Sequence, residues 1–249
     1  MTQPVATDFA IRSCESLAEF EACVELQRLV WGYSDADLVP IPILIVARKT
    51  GGHVIGGFDE DRLVGFTLVF SAHHSGTPYV HSHFLVVLPE YRDRGVGRAL
   101  KLQQREHCLC HSVNLIEWTF DPLEIKNAWL NIVRLGSVIR KFIPNLYGLS
   151  SSRLHGNLPT GRLIAQWHLY APRVKATLAG DAPQSAATAV RISLPVDIGR
   201  MRQDDPDAAR PIQAHLRREF EHRFSRGRAV TGLQIEEANA TYLLEPYED

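Results

Sequence analysis

Residues 81–105 read HSHFLVVLPEYRDRGVGRALKLQQR, and they decide the fold because they predict a strand, a short loop and a helix in succession. The apolar run 84–88 predicts a buried strand, and Pro89 ends it. A helix-prone segment begins at about Arg98. The loop between them is rich in arginine and glycine, a composition typical of segments that bind phosphate.

The loop and the start of the helix combine three features that bind an anion. Glycines let the backbone turn so that several N–H groups point the same way. The first helical turn adds unpaired N–H donors and the positive end of the helix dipole. Arginine side chains add charge-assisted donors. We therefore predict a pyrophosphate site formed by Arg92, Arg94, Gly95, Val96, Gly97 and Arg98.

These residues follow the order found in a known family. The pattern Arg92-x-x-Gly95-x-Gly97, after a strand and at the start of a helix, resembles the acyl-CoA-binding motif of the GNAT N-acyltransferases. A second strand (114–120) and a second helix (123–135) follow, and the resemblance covers roughly residues 8–170. Within the superfamily the chain looks like a bacterial branch with a C-terminal extension.

Two other nucleotide-binding motifs do not fit the same loop. A P-loop requires Gly-Lys followed by Ser or Thr, and no such sequence follows Gly97. A Rossmann fingerprint requires a third glycine, and Arg98-Ala99-Leu100 stands in its place.

The resemblance implies acetyl-CoA or another acyl-CoA as co-substrate. In a GNAT-like fold the motif strand splays from its neighbour, and the pantetheine arm inserts there like an additional strand. The backbone of Leu85, Val86 and Val87 would then hydrogen-bond the pantetheine amides and the thioester oxygen. Asn127 and Asn131 share a helix face at i, i+4 spacing. Asn127 either contacts the CoA arm or is an ordinary polar surface residue.

His81 and His83 are the best candidates for the catalytic base. They alternate with Leu85 and Val87, which predicts that all four side chains point to one face of the strand. Arylalkylamine N-acetyltransferases carry a similar His-x-His pair, and histone acetyltransferases carry a base glutamate in the place of His81. Imidazole, with an ordinary pKa of about 6.5, relays protons at neutral pH. The alternative is a pair of packed strand histidines without a catalytic role.

Glu117 on the next predicted strand is a second candidate. It is expected to act as base directly or through water, or to hold the amine; alternatively it pairs structurally with Arg134 or Arg140. No residue is predicted as the general acid for the leaving thiolate. Many GNAT enzymes use a Tyr four residues before the glycine that ends the second helix, and this chain has Ile132 at that position. Tyr147 is a weaker substitute.

The acceptor amine has only weak candidates in the sequence. The loop 31–37 lies where GNAT proteins line the acceptor pocket, so Asp35 or Asp37 either holds a substrate ammonium or is ordinary surface. The same two interpretations, a role at the acceptor site or ordinary surface, apply to His73 and His74. No metal site is expected, because Cys108 and Cys110 of the segment 107–111 point opposite ways on a helix and no second ligand pair has zinc spacing.

Composition is typical of a cytoplasmic enzyme. The 249 residues are 45% hydrophobic, enough for a substantial core, and the formal net charge of −1 argues against nucleic-acid partners. The start of the chain lacks an apolar signal core, and no run approaches the ~20 apolar residues that a membrane span needs. The four cysteines show no disulfide spacing, which suits a reducing compartment.

The predicted fold is α/β (α+β) and GNAT-like, with a mixed, mostly antiparallel sheet flanked by helices. We expect a catalytic domain at 8–170, a linker at 171–189 rich in Ala, Gly, Pro and Ser, and an α+β extension at 190–249. The extension is expected either to cap the acceptor pocket or to form a homodimer contact. In the first helix (16–30), the apolar face is predicted from Leu17, Phe20, Val24 and Leu29.

The sequence thus predicts an acyl-CoA-dependent N-acyltransferase that acts on the amine of a small molecule such as an amino acid, by direct attack in a ternary complex. Two alternatives stay open: a non-catalytic CoA-binding module for sensing or assembly, and an O-acyltransferase.

Overall fold

The computed structural model describes residues 9–74, 76–148, 158–181 and 185–247. The strands within these ranges are β1 (Ala10–Ser13), β2 (His53–Asp59), β3 (Arg62–His74), β4 (Thr77–Val87), β5 (Leu115–Phe120), β6 (Val138–Ile143), β7 (Arg162–His168), β8 (Val190–Pro195), β9 (Arg228–Ile235) and β10 (Asn239–Pro246). The α-helices are α1 (Leu17–Trp31), α2 (Ile41–Lys49), α3 (Val96–Cys110), α4 (Ile125–Trp129), α5 (Pro172–Ala179), α6 (Ile198–Asp204) and α7 (Pro206–Phe224). The mixed, mostly antiparallel sheet and flanking helices confirm the predicted fold class.

The chain forms two compact units, residues 1–117 and 118–249, and the boundary falls inside β5. In the first unit the strands run in the order β1-β2-β3-β4-β5. The pairs from β1 to β4 are antiparallel, and β4 pairs with β5 in parallel. A parallel neighbour cannot follow through a tight hairpin, so the chain reaches β5 through α3.

Helix α3 covers one face of this sheet, where the side chain of Lys101 reaches Ser82 of β4. The other face carries α1, whose Trp31 ring lies 4.8 Å from that of Phe84. The core between the layers is aliphatic and aromatic, and Phe66 and Leu68 of β3 are fully buried in it.

The buried face of α1 differs from the prediction. Phe20 is buried as expected, but Leu17 and Leu29 are 59% and 60% exposed. Gln27 is buried instead, because its side-chain amide exchanges two hydrogen bonds with the backbone of Val39. The buried face of α1 thus consists of Phe20, Cys23 and Leu26 together with Gln27.

A β-bulge interrupts β4 at His83, so the prediction that His81, His83, Leu85 and Val87 point to one face is wrong. The register with β3 is Phe70↔His81, Val69↔Ser82 and Leu68↔Phe84, so that His83 has no residue opposite. An extra residue shifts the pleat by one position. Beyond the bulge, His81 therefore shares its face with Phe84, while Leu85 and Val87 lie on the opposite face.

In the second unit the strand order is β7-β6-β9-β10-β8 with antiparallel pairs. The helix predicted at 123–135 is split into α4 and a π-helical turn, Leu130–Arg134. The segment 171–189, predicted as a loop or linker, contains α5, and its residues 182–184 lie outside the described residues. The division at 170 and 190 stays a prediction.

None of the described helices is both long enough and apolar enough to cross a bilayer.

The start of α1 provides a test of the first unit. Glu19 closes a capping box with Ser16, and its carboxylate also accepts hydrogen bonds from Glu15 N at 2.7 Å and Arg12 Nη1 at 2.5 Å. Burial alone would raise the pKa of Glu19, but these donors outweigh it and lower the pKa to about 2.

We expect Glu19→Gln to lower the free energy of unfolding by about 1–2 kcal/mol at pH 7. Because the folded-state pKa is depressed, this contribution is complete above the ordinary value of 4.5 and is lost as the pH falls towards 2. Urea unfolding of both proteins from pH 7 to pH 3, with Glu21→Gln as control, measures it. A stability difference that stays constant over this range would contradict the assignment.

Candidate functional site

A tight turn connects β4 to α3 and places the arginine-rich loop at the end of the strand. Pro89–Tyr91 form a single 3-10 turn, and Tyr91 is buried. The Tyr91 hydroxyl donates a hydrogen bond of 2.7 Å to the carboxylate of Asp59 at the end of β2. This anchor fixes the direction in which the chain leaves the sheet.

The N-terminus of α3 is open to an incoming anion. Gly95 is the N-cap, has φ of 86° and leaves open space where a Cβ would lie. It provides no side-chain cap, and the first intrahelical hydrogen bond runs from Ala99 N to Gly95 O. The N–H groups of the first turn, including those of Val96 and Gly97, therefore have no acceptor inside the helix. Gly97 lies within this helical turn rather than in a left-handed conformation, so it does not create the turn as predicted.

The three predicted arginines surround this helix end in different ways. Arg92 is exposed and its Nε donates to the carbonyl of Val87 at 3.3 Å. Arg94 stacks on the rings of Phe9 and Tyr91, each at 4.9 Å. Arg98 is half-buried in the first turn of α3. The three arginines thus lie in the loop and first helical turn that follow β4, close in sequence to the N–H groups of Val96 and Gly97.

One edge of β4 is paired for only part of its length. Its parallel ladder with β5 consists of Val80↔Ile116 and His81↔Glu117. The opposite edge of β4 is paired with β3 as far as Val87. Among the strand pairings described, none engages the β5-side edge from Ser82 to the end of the strand, so the backbone there can take a further extended partner.

His81 lies at the last paired position, beside Glu117. Burial lowers the pKa of His81, the Glu117 carboxylate opposes this, and the positive charge of Lys101 adds to the lowering. A half-buried imidazole beside a carboxylate can accept a proton at neutral pH, because the carboxylate stabilises the cation that forms.

His83 occupies the bulge and is surrounded by rings. Its ring centre lies 4.2 Å from Phe84, 5.6 Å from Phe70 and 6.2 Å from His81. Burial, helped by repulsion from His81, lowers the pKa of His83 to about 4. His83 is therefore neutral and a weak base at pH 7.

The predicted acceptor loop is only partly at this site. Trp31 contacts Phe84, and the Tyr33 ring lies 5.1 Å from Trp31, so aromatic side chains extend the histidine surface. Asp35 is exposed and forms an ion pair of 2.6 Å with Arg28. Asp37 is exposed in the same loop, and His73 and His74 are exposed at the end of β3.

The second unit contains the remaining predicted residues. Asn127 is exposed on α4 and accepts a hydrogen bond of 3.3 Å from Asn131, which confirms that the two share a helix face. Ile132 is buried, so its position offers no proton donor. The Tyr147 hydroxyl lies 2.8 Å from the Thr119 hydroxyl on β5.

Two buried polar residues on α3, beneath β4, were not predicted from the sequence. Lys101 and Gln104 lie on the buried face of α3 together with Leu100 and Cys108. Positions 100, 101, 104 and 108 lie on one helix face by their spacing. Polar residues at two of these four positions could have indicated a buried polar group. Nowhere in the described ranges do three metal-ligating side chains come together.

Comparison with known proteins gives one family match and several structures of similar fold. Residues 20–125 match the acetyltransferase (GNAT) family. Similar solved structures include yncA from Salmonella typhimurium with its cofactor acetyl-CoA (TM-score 0.52, 16% identity, 66% of this chain and 98% of that chain). They also include the ribosomal-protein-S18-alanine N-acetyltransferase of Escherichia coli (0.51, 13%, 66% and 95%) and FeeM, an N-acyl amino acid synthase from uncultured soil microbes (0.52, 10%, 70% and 96%). No curated protein matches the chain. The family match confirms the predicted resemblance, and the structures confirm the fold.

The pairing of His81 with Glu117 predicts a measurable change in titration. Because the carboxylate favours the imidazolium form, Glu117→Gln should lower the pKa of His81 further. Imidazole resonances followed by heteronuclear NMR between pH 4 and pH 8 give the pKa directly. Glu60→Gln in the β2–β3 turn is the control; an unchanged or raised His81 pKa in Glu117→Gln would contradict the pairing.

Proposed function

Residues 20–125 match the acetyltransferase (GNAT) family, and from this match we propose transfer of an acyl group from acetyl-CoA or another acyl-CoA to a small-molecule amine such as that of an amino acid. The observation that carries the proposal is the open edge of β4, which ends beside the uncapped N-terminus of α3.

The residues present fit the chemistry of CoA. Its pyrophosphate needs several N–H donors and positive charge, and the Gly95 cap with Arg92 and Arg94 provides both. Its pantetheine arm carries amides in an extended chain, which pair with a strand edge. We assign this role to the backbone of Leu85, Val86 and Val87. The turn Pro89–Tyr91 and the arginine-rich loop separate these residues from the start of α3.

The reaction requires the amine nitrogen to attack the thioester carbonyl, so that a C–N bond forms, the C–S bond breaks and the thiolate leaves. We propose that His81 removes the proton from the attacking amine and that Glu117 stabilises the imidazolium. We assign to a backbone N–H of the open β4 edge the role of holding the carbonyl oxygen as its negative charge develops.

His83 has a different role in this proposal. With a pKa of about 4 it stays neutral throughout the reaction. Together with Phe84 and Trp31 it forms an apolar wall that excludes water from the attacking amine. A thiolate is a tolerable leaving group, so the buried Ile132 in the usual acid position is compatible with turnover. FeeM, an N-acyl amino acid synthase of similar fold, supports an amino acid as acceptor.

The donor site is tested by a charge placed on the helix N-terminus. Gly97 is the second residue of α3, where a carboxylate is favourable for the helix but occupies the phosphate position. Gly97→Asp should weaken CoA binding by roughly 5- to 900-fold, since like charges a few ångströms apart repel by ~1–4 kcal/mol.

Isothermal titration calorimetry with CoA measures this change. Gly199→Asp is the matched control, because Gly199 is the second residue of α6 and open space surrounds its added Cβ. Equal affinities of Gly97→Asp and wild type would contradict the donor site.

The catalytic role is tested by removing the imidazoles. His81→Ala should lower kcat by about 100- to 10,000-fold with little change in CoA affinity, because general-base catalysis contributes this much. His83→Ala should have a smaller effect on kcat and raise KM for the amine. Thiol release is measured with acetyl-CoA and a panel of amino acids and small amines. CoA binding without acyl transfer by the wild type to any amine would instead favour a CoA-binding module.

A further inference from the structure

A connected set of polar side chains is buried between α3 and the sheet. Its members, called the bulge network below, are Thr67, Ser82, Lys101 and Gln104. Lys101 Nζ donates to Ser82 Oγ at 2.8 Å and to Gln104 Oε1 at 3.1 Å. Gln104 Nε2 donates to Ser82 Oγ at 3.1 Å and to Thr67 Oγ1 at 3.4 Å. Each of the four residues is at most 4% exposed.

The bulge network binds β4 on both sides of the bulge. Ser82, immediately before His83, accepts hydrogen bonds from both α3 side chains. Immediately after His83, the carbonyl of Phe84 accepts a hydrogen bond of 2.7 Å from the Thr67 hydroxyl. An unpaired buried carbonyl costs about 1–3 kcal/mol, so this bond stabilises the strand immediately after the bulge.

A buried lysine is not the arrangement that stability alone favours. Removing an ammonium group from water costs several kcal/mol, and an apolar side chain of similar volume is often equally or more stabilising. Lys101 is 1% exposed, and burial lowers its pKa to about 7. The cost is therefore balanced by something other than core packing, and the contacts of Lys101 lead to the catalytic strand.

We propose that the bulge network positions the acyl-transfer site: it fixes the bulge at His83, and the bulge directs His81 and Phe84 to the same face. This inference rests on the proposed function. Its residues do not touch the substrate and act through β4, so Lys101 and Thr67 are positioning residues.

Charge adds a second effect on His81. The charged and titratable groups that act on this imidazole are Glu117 from β5, His83 from β4 and Lys101 from α3, whose ammonium is bonded to Ser82 on the other face of β4. Lys101 is in turn faced by Cys108 on its own helix and by His53 on β2. Below pH 7 the Lys101 ammonium disfavours the imidazolium form, which keeps His81 available as a neutral base.

Thr67 gives the sharper geometric test. Thr67→Val keeps the shape of the side chain and removes the hydrogen bond to Phe84, whereas Thr67→Ser keeps the hydroxyl. We expect Thr67→Val to lower kcat about tenfold or more with unchanged CoA affinity, because a misplacement of ~1 Å can cost on the order of 100-fold. Thr67→Ser should restore most of kcat. Equal kcat values for the three proteins would overturn the positioning role.

Lys101→Met tests the effect of charge. The His81 pKa measured by NMR should rise, and the acidic limb of the pH–kcat/KM profile should move to higher pH by the same amount. Arg105→Met, which removes a cation one turn further along α3, should leave both unchanged. A His81 pKa that does not move, or that moves equally in both variants, would overturn the electrostatic part.

The NMR measurement also separates this inference from the proposed function. If no amine is acylated by the wild type, the proposed function fails, but the positioning of His81 is still measured by its pKa and by the amide shifts of residues 81–84. Altered shifts in Thr67→Val and not in Thr67→Ser would then support the network. Unaltered shifts in both would overturn it.

Discussion

The parallel pairing of β4 with β5 is the constraint on which the candidate site depends. Two residue pairs hold it, and the second joins His81 to Glu117. The same short ladder leaves the later part of β4 with backbone groups available on one edge. A longer ladder would use these groups within the sheet, and a missing one would separate the imidazole from its carboxylate. In the proposed function, the number of paired residues therefore affects both donor binding and proton transfer.

The bulge at His83 is the second constraint, and it acts on side chains rather than on the backbone. In a regular strand without a bulge, His81 would share a face with Leu85 and Val87, which lie on the α3 side of the sheet. The extra residue turns the aromatic and imidazole groups to the side of α1, where Trp31 completes the surface. The two sides of β4 thus have separate tasks: one carries the rings, and the other is held by buried polar contacts from α3.

The sequence predicted the parts of this arrangement that depend on local patterns. Short-range rules predict a strand from the apolar run before Pro89 and a helix start from the glycine that follows the loop. They also place Glu117 on the next strand, and the structure has the predicted order of strand, loop, helix and strand. The bulge was not predicted, because periodicity assumes a regular pleat and a single extra residue leaves no compositional signal. The exposure of Leu17 and Leu29 was missed because α1 has apolar residues on more than one face, and the structure buries Phe20, Cys23 and Leu26.

The central claim is that the open edge of β4 and the N-terminus of α3 together receive acyl-CoA. Hydrogen–deuterium exchange with and without acetyl-CoA measures this directly at the backbone. We expect slower exchange at the amides of residues 85–87 and 96–98 when acetyl-CoA is bound, because both segments gain acceptors for N–H groups. Saturating acetyl-CoA that leaves exchange in both segments unchanged, or protects only other parts of the chain, would contradict it.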